Sequence, residues 1–237
     1  MIKQNLFNGG VEVGISEIDD GNMRFFGDGS ESGIIENQRK LGELIGLKDI
    51  VRVKTIYGER QNFTEYVEIT KENLFEYSID NFEKEIPISD GIVTRETEIG
   101  ILLPLADCLG VVAFDEKQRI IGLLHSGRQN IEQDGPRKFI EYFVDDFGCN
   151  VKNIKIWFSP YALNYCIFKL NKGLGEAAKD QFINAGILSD NIIDSRIDTV
   201  SNDNFPSNSD GDTNKRFAIA VKQSLKCSCL KMWLDEL

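Results

Sequence analysis

Short, unbroken apolar runs are the feature of this chain that most restricts its fold. The clearest occupy residues 101–106, 110–114 and 120–124, and a further run at 154–158 is interrupted once, by Lys155. A strand that faces water on one side alternates apolar and polar residues, so a run without polar interruption indicates a strand buried on both faces. Further strand-like runs are predicted at residues 51–56, 67–69, 91–93 and 217–221. The sequence therefore predicts sheets that are covered by other layers of structure.

Three segments have the periodicity of helices. The first ends at Gly46, the second runs from Pro136 to Gly148, and the third runs from Leu174 to Gly186. Proline favours the first helical turn, and glycine favours the position just after the last one. Strands outnumber helices, and the helices separate clusters of strands. This order predicts an α/β or α+β sandwich with its helices on the outside.

Length and charge narrow the class of protein. The 237 residues contain no internal repeat and no proline-rich linker, which predicts a single domain over residues 1–237. A net charge of −11 argues against a surface that binds nucleic acid or anionic lipid. We also expect no membrane span, since no run approaches the roughly 18 apolar residues that one needs. Five cysteines without a signal-peptide pattern favour a reducing cytoplasm.

Histidine is scarce enough to limit the chemistry. His125 is the one histidine of the sequence, so sites built from several imidazoles are excluded. The Cys227-Ser228-Cys229 segment is too tight for a zinc knuckle and is interpreted as part of a terminal strand. Residues 201–215 form a polar stretch that predicts a solvated loop, and Asp210-Gly211-Asp212 within it lacks the spacing of an EF-hand.

A cysteine and a histidine flank the central pair of apolar runs. Cys108 precedes the run at 110–114, and His125 follows the run at 120–124. If residues 115–119 form a hairpin, antiparallel pairing brings both side chains to the same end of the sheet. Such a pair forms an activated thiolate or two ligands of a soft metal. A buried cysteine beside a hydrogen-bonded histidine is the structural alternative, and spacing alone leaves these readings open.

Motifs around this pair resemble those of a known family. The segments at residues 89–94 (SDGIVT), 106–108 (ADC) and 125–127 (HSG) are similar to the patterns A-D-A/G-x-V-T, A-D-C and H-A-G-W-R-G. These patterns belong to the laccase-domain (multicopper polyphenol oxidase) family, whose members are described as purine nucleoside phosphorylases. Weaker matches occur at Asn22-Met23 with Gly27-Asp28 and at residues 36–39, 55–58 and 159–166.

The resemblance implies a fold, a reaction and a metal site. The fold would be a four-layer α/β/β/α sandwich with mixed sheets, similar to the catalytic domain of cytotoxic necrotizing factor. The reaction would be phosphorolysis of adenosine, inosine or methylthioadenosine, with adenosine deamination in some members and a peptidoglycan-editing amidase in one branch. The site would hold zinc, or less favourably copper, with Cys108 and His125 as two of three ligands. Asp107, beside the cysteine, is a catalytic candidate that would orient His125, and capping of the strand end is its structural alternative.

The chain also departs from the family pattern. Tyr57 stands where the family has its first histidine, and it would serve as a third ligand or as a polar lid over the pocket. The tryptophan and final glycine of H-A-G-W-R-G are missing, so Arg128 matches the family arginine only across a one-residue gap. Residues 205–209 lack the arginine pair of the family's F-x-S-[HY]-R-R. We expect Arg128, Asn22 and Tyr57 to contact substrate or phosphate.

Three functions follow as hypotheses. The first is a divergent transferase that uses phosphate to cleave a purine nucleoside at a weakened metal site. The second is a metal-free hydrolase or amidase with Cys108 as nucleophile and His125 as its base. The third is a non-catalytic binding module that keeps the fold. In the first two, the partner is a small-molecule substrate, and the sequence indicates no oligomeric state.

Overall fold

The computed structural model describes residues 1–24, 31–55, 61–81, 86–211 and 214–224. Tyr57, Gly27-Asp28, Asp212 and Cys227-Ser228-Cys229 lie outside the described residues. The strands are β1 (Ile2–Leu6), β2 (Val11–Ile15), β3 (Asp49–Arg52), β4 (Tyr66–Ile69), β5 (Gly91–Thr94), β6 (Ile99–Leu105), β7 (Leu109–Asp115), β8 (Ile120–Ser126), β9 (Ile154–Phe158), β10 (Cys166–Ile167), β11 (Lys172–Gly173), β12 (Ile192–Asp194) and β13 (Phe217–Gln223). The helices are α1 (Glu31–Leu44), α2 (Leu74–Tyr77), α3 (Arg128–Glu132), α4 (Gly135–Asp145) and α5 (Leu174–Asn184).

Two mixed sheets form the centre of the molecule. The first has the order β1-β2-β13-β6-β3, and the second has the order β12-β9-β7-β8-β5-β4. In the first sheet β3 runs parallel to β6, and in the second β4 and β12 run parallel to β5 and β9. The pairs β7–β8, β7–β9, β2–β13 and β6–β13 are antiparallel. Strands β10 and β11 form a separate short ribbon.

Three apolar layers hold the sheets and helices together. Between the sheets, Leu103 and Ile219 of the first pack in one cluster with Val112 and Leu123 of the second. Helices α3, α4 and α5 cover the outer face of the second sheet. Helix α1 covers the outer face of the first sheet, where Leu41 joins the cluster of Leu102, Ala218 and Ala220. The predicted four-layer α/β/β/α sandwich with mixed sheets is confirmed.

The three predicted helices are present, and each is followed by a glycine with a positive φ. Gly46 follows α1 with φ of +72°, Gly148 follows α4 with φ of +66°, and Gly186 follows α5 with φ of +97°. A residue without a Cβ adopts this conformation at little cost, so the sequence marks these ends reliably. None of the described helices is long and apolar enough to cross a lipid bilayer.

Strand prediction was less complete outside the central hairpin. The strand predicted to reach residue 56 ends at Arg52. Strands β1, β2 and β12 were not predicted, because β1 alternates in burial and β12 has three residues. In β2 the apolar run is broken by Glu12, whose carboxylate is paired with Lys3 and Lys222 of the two neighbouring strands.

Helix α4 approaches β8 closely because β8 has a glycine beneath it. A Cβ atom on Gly122 would lie 2.8 Å from the Phe139 and Phe143 rings. Phe143 is fully buried and packs edge-on against Phe139, with 5.2 Å between the ring centroids. Phe143 therefore anchors the outer helical layer on the second sheet.

Replacement of this anchor tests the layer. We expect Phe143→Ala to lower the free energy of unfolding by about 3–5 kcal/mol, because it removes a buried ring and leaves a cavity. Phe75→Ala is the matched control, since Phe75 is 66% exposed and its loss should change stability by no more than about 0.5 kcal/mol. Urea unfolding followed by fluorescence measures both. Equal effects of the two substitutions would contradict the layer assignment.

Candidate functional site

The β7–β8 hairpin places Cys108 and His125 at one end of the second sheet. Gly110 lies opposite His125, and Leu109 lies opposite Ser126, so Cys108 lies just beyond the last pair. At the other end of the hairpin, the Asp115 carboxylate accepts backbone hydrogen bonds from the turn at 2.9 and 3.1 Å. The predicted hairpin and the predicted approach of the two side chains are both present in the structure.

His125 lies close to both Cys108 and Asp90. Its interactions with these two residues favour its protonated form, and its Nδ1 is 4.0 Å from Asp90 Oδ1. The backbone N–H of His125 also donates to the Asp90 carbonyl at 2.7 Å. Burial alone would lower the pKa of His125, but Asp90 and Cys108 outweigh it and raise the pKa to about 9. The surroundings therefore favour the protonated imidazole.

Asp90 also belongs to the site. It lies in the motif at residues 89–94, but no role was predicted for it. It is almost fully buried, with 1% of its surface exposed. A buried carboxylate needs a cationic or hydrogen-bonding partner, and His125 supplies the charge. In the sequence, the indication of this role was an aspartate directly before an apolar strand. Aspartate is seldom buried there unless a partner lies close to it.

A cavity of about 440 Å³ opens beside this pair. It is lined by Asp107, Cys108, His125 and Arg128, so the structure brings four of the predicted site residues together. Arg216, just before β13, lines the same cavity and was not predicted. Among the described lining residues the cationic side chains outnumber the carboxylates, although the chain as a whole carries a net charge of −11. The cavity is suited to an anionic ligand.

The hydrogen bonds that the structure gives the Asp107 carboxylate lead to partners other than His125, and its expected role of orienting His125 stays a prediction. Its Oδ1 accepts a hydrogen bond from Thr199 Oγ1 at 2.8 Å, and its Oδ2 accepts one from the Ser209 backbone N–H at 2.6 Å. Asp90 is the carboxylate that faces His125. The polar stretch predicted as a solvated loop is partly buried at residues 205–207, and Asn208 and Ser209 line the cavity.

Asn22 contacts the backbone around Arg216. Its Oδ1 accepts hydrogen bonds from the N–H groups of Arg24 and Arg216 at 2.9 and 3.1 Å, and its Nδ2 donates to the Asn214 carbonyl at 3.2 Å. Asn22 therefore fixes the chain that carries Arg216 into the cavity. Direct contact of Asn22 with substrate stays a prediction.

The described donors do not complete a zinc site. The part of the chain that the structure describes contains no group of three or more His, Cys, Asp or Glu side chains that could hold a metal ion. Cys108 and His125 supply a thiolate and an imidazole, whereas zinc in proteins takes at least three protein ligands. Tyr57, the expected third ligand, lies outside the described residues, so the predicted metal site is not tested.

The sequence of the chain has matches among known proteins. Residues 8–173 match the family model described as multi-copper polyphenol oxidoreductase laccase. The chain is 31% identical over 77 residues to a purine nucleoside phosphorylase of Borreliella burgdorferi, covering 32% of this chain and 33% of that protein. It is 29% identical over 90 residues to the purine nucleoside phosphorylase LACC1 of Mus musculus, covering 38% of this chain and 21% of that protein. The aligned stretches thus span a third or less of these relatives.

Solved structures share the fold over most of the chain. The hypothetical protein YfiH of Bacillus licheniformis superposes with a TM-score of 0.79 at 16% identity, covering 90% of this chain and 93% of that one. YlmD of Geobacillus stearothermophilus gives a TM-score of 0.78 at 16% identity, covering 90% and 92%. At this identity the likeness establishes the architecture.

Thiol reactivity tests the contact between Cys108 and His125. We expect iodoacetamide at pH 7.5 to alkylate Cys108, and His125→Gln to slow that reaction by about tenfold or more, because the imidazolium favours the thiolate. Peptide mass spectrometry over time measures each cysteine. Exposed Cys166 is the internal control and should react at an unchanged rate. Cys149 should stay unmodified in the folded protein, since burial and the Asp115 carboxylate raise its pKa to about 12. Unchanged Cys108 reactivity in the variant would contradict the contact.

Proposed function

The chain belongs to the multi-copper polyphenol oxidoreductase laccase family, and from that premise we propose that it cleaves purine nucleosides with phosphate. One observation carries the proposal: Arg128 and Arg216 line the same cavity as Cys108 and His125. Two guanidinium groups beside a reactive pair suit a reaction in which one substrate is a phosphate dianion. The relatives named as purine nucleoside phosphorylases support the choice of nucleoside.

The two arginines bind and orient phosphate in this proposal. A guanidinium presents parallel N–H donors that match phosphate oxygens, and it keeps its charge at any physiological pH. Arg128 comes from the first residue of α3, and Arg216 comes from the entrance to β13. Helix α3 covers the second sheet and β13 belongs to the first, so phosphate bound between the two arginines joins the two halves of the sandwich at the cavity.

The Cys108–His125 pair holds the proton that the reaction needs. A phosphate oxygen forms a bond to C1′ of the ribose while the C1′–N bond breaks, and the electron pair moves onto the purine. The purine then takes a proton and leaves as the free base, and the sugar leaves as ribose 1-phosphate. An imidazolium next to the cavity can donate that proton, and its charge stabilises the electron-rich leaving group.

Zinc is the metal that this site would prefer. A thiolate and an imidazole are donors that zinc accepts readily, and Tyr57 is the residue proposed to complete the set. The two described donors alone do not fit a stable site, so none of the steps above depends on a metal. Zinc bound there would polarise an oxygen of the substrate.

A second function, hydrolysis by Cys108, is favoured by the position of His125 close to both Cys108 and Asp90. In that reaction the thiolate attacks an amide carbonyl, the amine leaves with a proton from His125, and water then releases the acid from the thioester. Asp90 would hold the imidazole in its orientation. The two functions differ in one requirement, since hydrolysis proceeds without phosphate.

Arginine substitutions test the phosphate site. We expect Arg128→Ala and Arg216→Ala each to raise the KM for phosphate by about tenfold or more in an assay of base release from adenosine, inosine and methylthioadenosine, because each removes a charge-assisted contact. Arg196→Ala is the matched control, because Arg196 lines a different hollow and its loss should leave KM unchanged. Release that does not depend on phosphate would favour the hydrolase. No release by the native chain would refute both reactions and favour a binding module.

Metal analysis separates the metal-dependent and metal-free versions. If Tyr57 completes a zinc site, the purified protein should carry about one zinc per chain, and Cys108→Ala and Tyr57→Phe should each lose most of it, since two donors hold zinc weakly. Inductively coupled plasma mass spectrometry measures the zinc content of each protein. Tyr161→Phe serves as control, because Tyr161 donates to Asp194 away from the cavity. Full activity in protein freed of metal by a chelator would exclude a metal role.

A further inference from the structure

Asp107 has an unusual backbone conformation at the point where β6 turns into β7. Its φ is +70°, in the left-handed region that residues with a Cβ seldom adopt. Such a conformation persists where the surrounding structure holds it, and it is common at functional sites. Cys108 follows directly, so whatever fixes Asp107 also fixes the backbone of the cavity's sulfur.

Three other chain segments meet at Asp107. The Thr199 hydroxyl and the Ser209 N–H each donate to one carboxylate oxygen. The Asp107 carbonyl accepts a hydrogen bond from the Ala162 N–H at 2.9 Å. The polar groups of the residue therefore connect the β6–β7 turn to the segment after β9, to Thr199 and to the loop at residues 205–211.

That loop forms one wall of the cavity. On the core side Phe205 packs edge-on against Phe217, with 5.1 Å between the ring centroids. At the cavity, the bond from the Ser209 N–H to Asp107 holds the part of the loop that supplies Asn208 and Ser209 to the lining. Hydrogen bonds to an ionised carboxylate are among the stronger ones in proteins, so this bond is a firm tether for the exposed residues 208–211 of the loop.

We propose that Asp107 is a positioning residue that holds the 205–211 loop as the substrate-contacting wall opposite Cys108, and that it transfers no proton. Both of its oxygens already accept hydrogen bonds from fixed donors of the chain. Release of Ser209 would let Asn208 and Ser209 move away from the cavity and would weaken substrate binding. The kinetic part of this inference rests on the proposed phosphorolysis, whereas the tether itself does not.

The test is Asp107→Asn. An asparagine has one acceptor oxygen for these two donors, and in either orientation of its amide the Ser209 N–H loses its bond to an ionised acceptor. We expect hydrogen exchange of the 205–211 segment to rise by about tenfold, the KM for nucleoside to rise by about tenfold, and kcat to change by less than about threefold. Thr199→Val should raise hydrogen exchange of the segment and the KM for nucleoside by less than Asp107→Asn does. Thr199→Ser keeps the hydroxyl and should leave both at their native values.

Asp115→Asn is the matched control. Asp115 also accepts two backbone hydrogen bonds, from Lys117 at 2.9 Å and Gln118 at 3.1 Å, but it lies at the end of β7 that is remote from the cavity. Its substitution should leave exchange of the 205–211 segment and KM unchanged.

Two results would overturn the inference. A loss of kcat beyond about a hundredfold in Asp107→Asn with unchanged KM would make Asp107 a catalytic acid or base. Unchanged exchange of the 205–211 segment in both Asp107→Asn and Thr199→Val would show that no tether exists. If the native chain releases no base, the proposed function fails, and the exchange measurement still decides whether Asp107 holds the loop.

Discussion

Antiparallel pairing of β7 with β8 is the interaction on which the rest of the structure depends. Every residue of both strands is buried, because the two strands lie inside the second sheet and are covered on both faces. One face supplies Val112 and Leu123 to the core between the sheets, and the other carries helix α4. The register of this pair also sets the site, since a shift by one residue would turn His125 to the opposite face of the sheet.

The same hairpin explains how a charged group can lie so deep. His125 is 5% exposed, and its charge is stabilised by Asp90, the residue just before the neighbouring strand β5. In a low-dielectric interior a buried charge is costly unless its partner is fixed nearby, and an interaction of this kind is correspondingly strong. Asp90 and Cys108 therefore both favour the cationic form of the imidazole at the edge of the cavity.

The sequence predicted the features that depend on neighbouring residues. It missed those that depend on contacts between distant parts of the chain. The central hairpin, the three longer helices and the convergence of Cys108 with His125 follow from apolar runs and turn residues. The role of Asp107 could not be predicted, because its partner Ser209 is 102 residues away along the chain. Arg216 was missed for the same reason, since Asn22 contacts its backbone across 194 residues. Contacts between residues so far apart leave no periodic pattern in the sequence.

Loss of a motif is therefore weaker evidence against activity than it first appears in the sequence. The loop at residues 205–209 lacks the arginine pair of the related family, which by itself suggests that an anion site has been lost. Arg216 nevertheless enters the same cavity from the start of β13, and Asn22 holds its backbone there. A phosphate responds to the positions of the charges around it rather than to their order in the chain. The cavity keeps two guanidinium groups beside its cysteine and histidine, and that arrangement is what an anionic substrate requires.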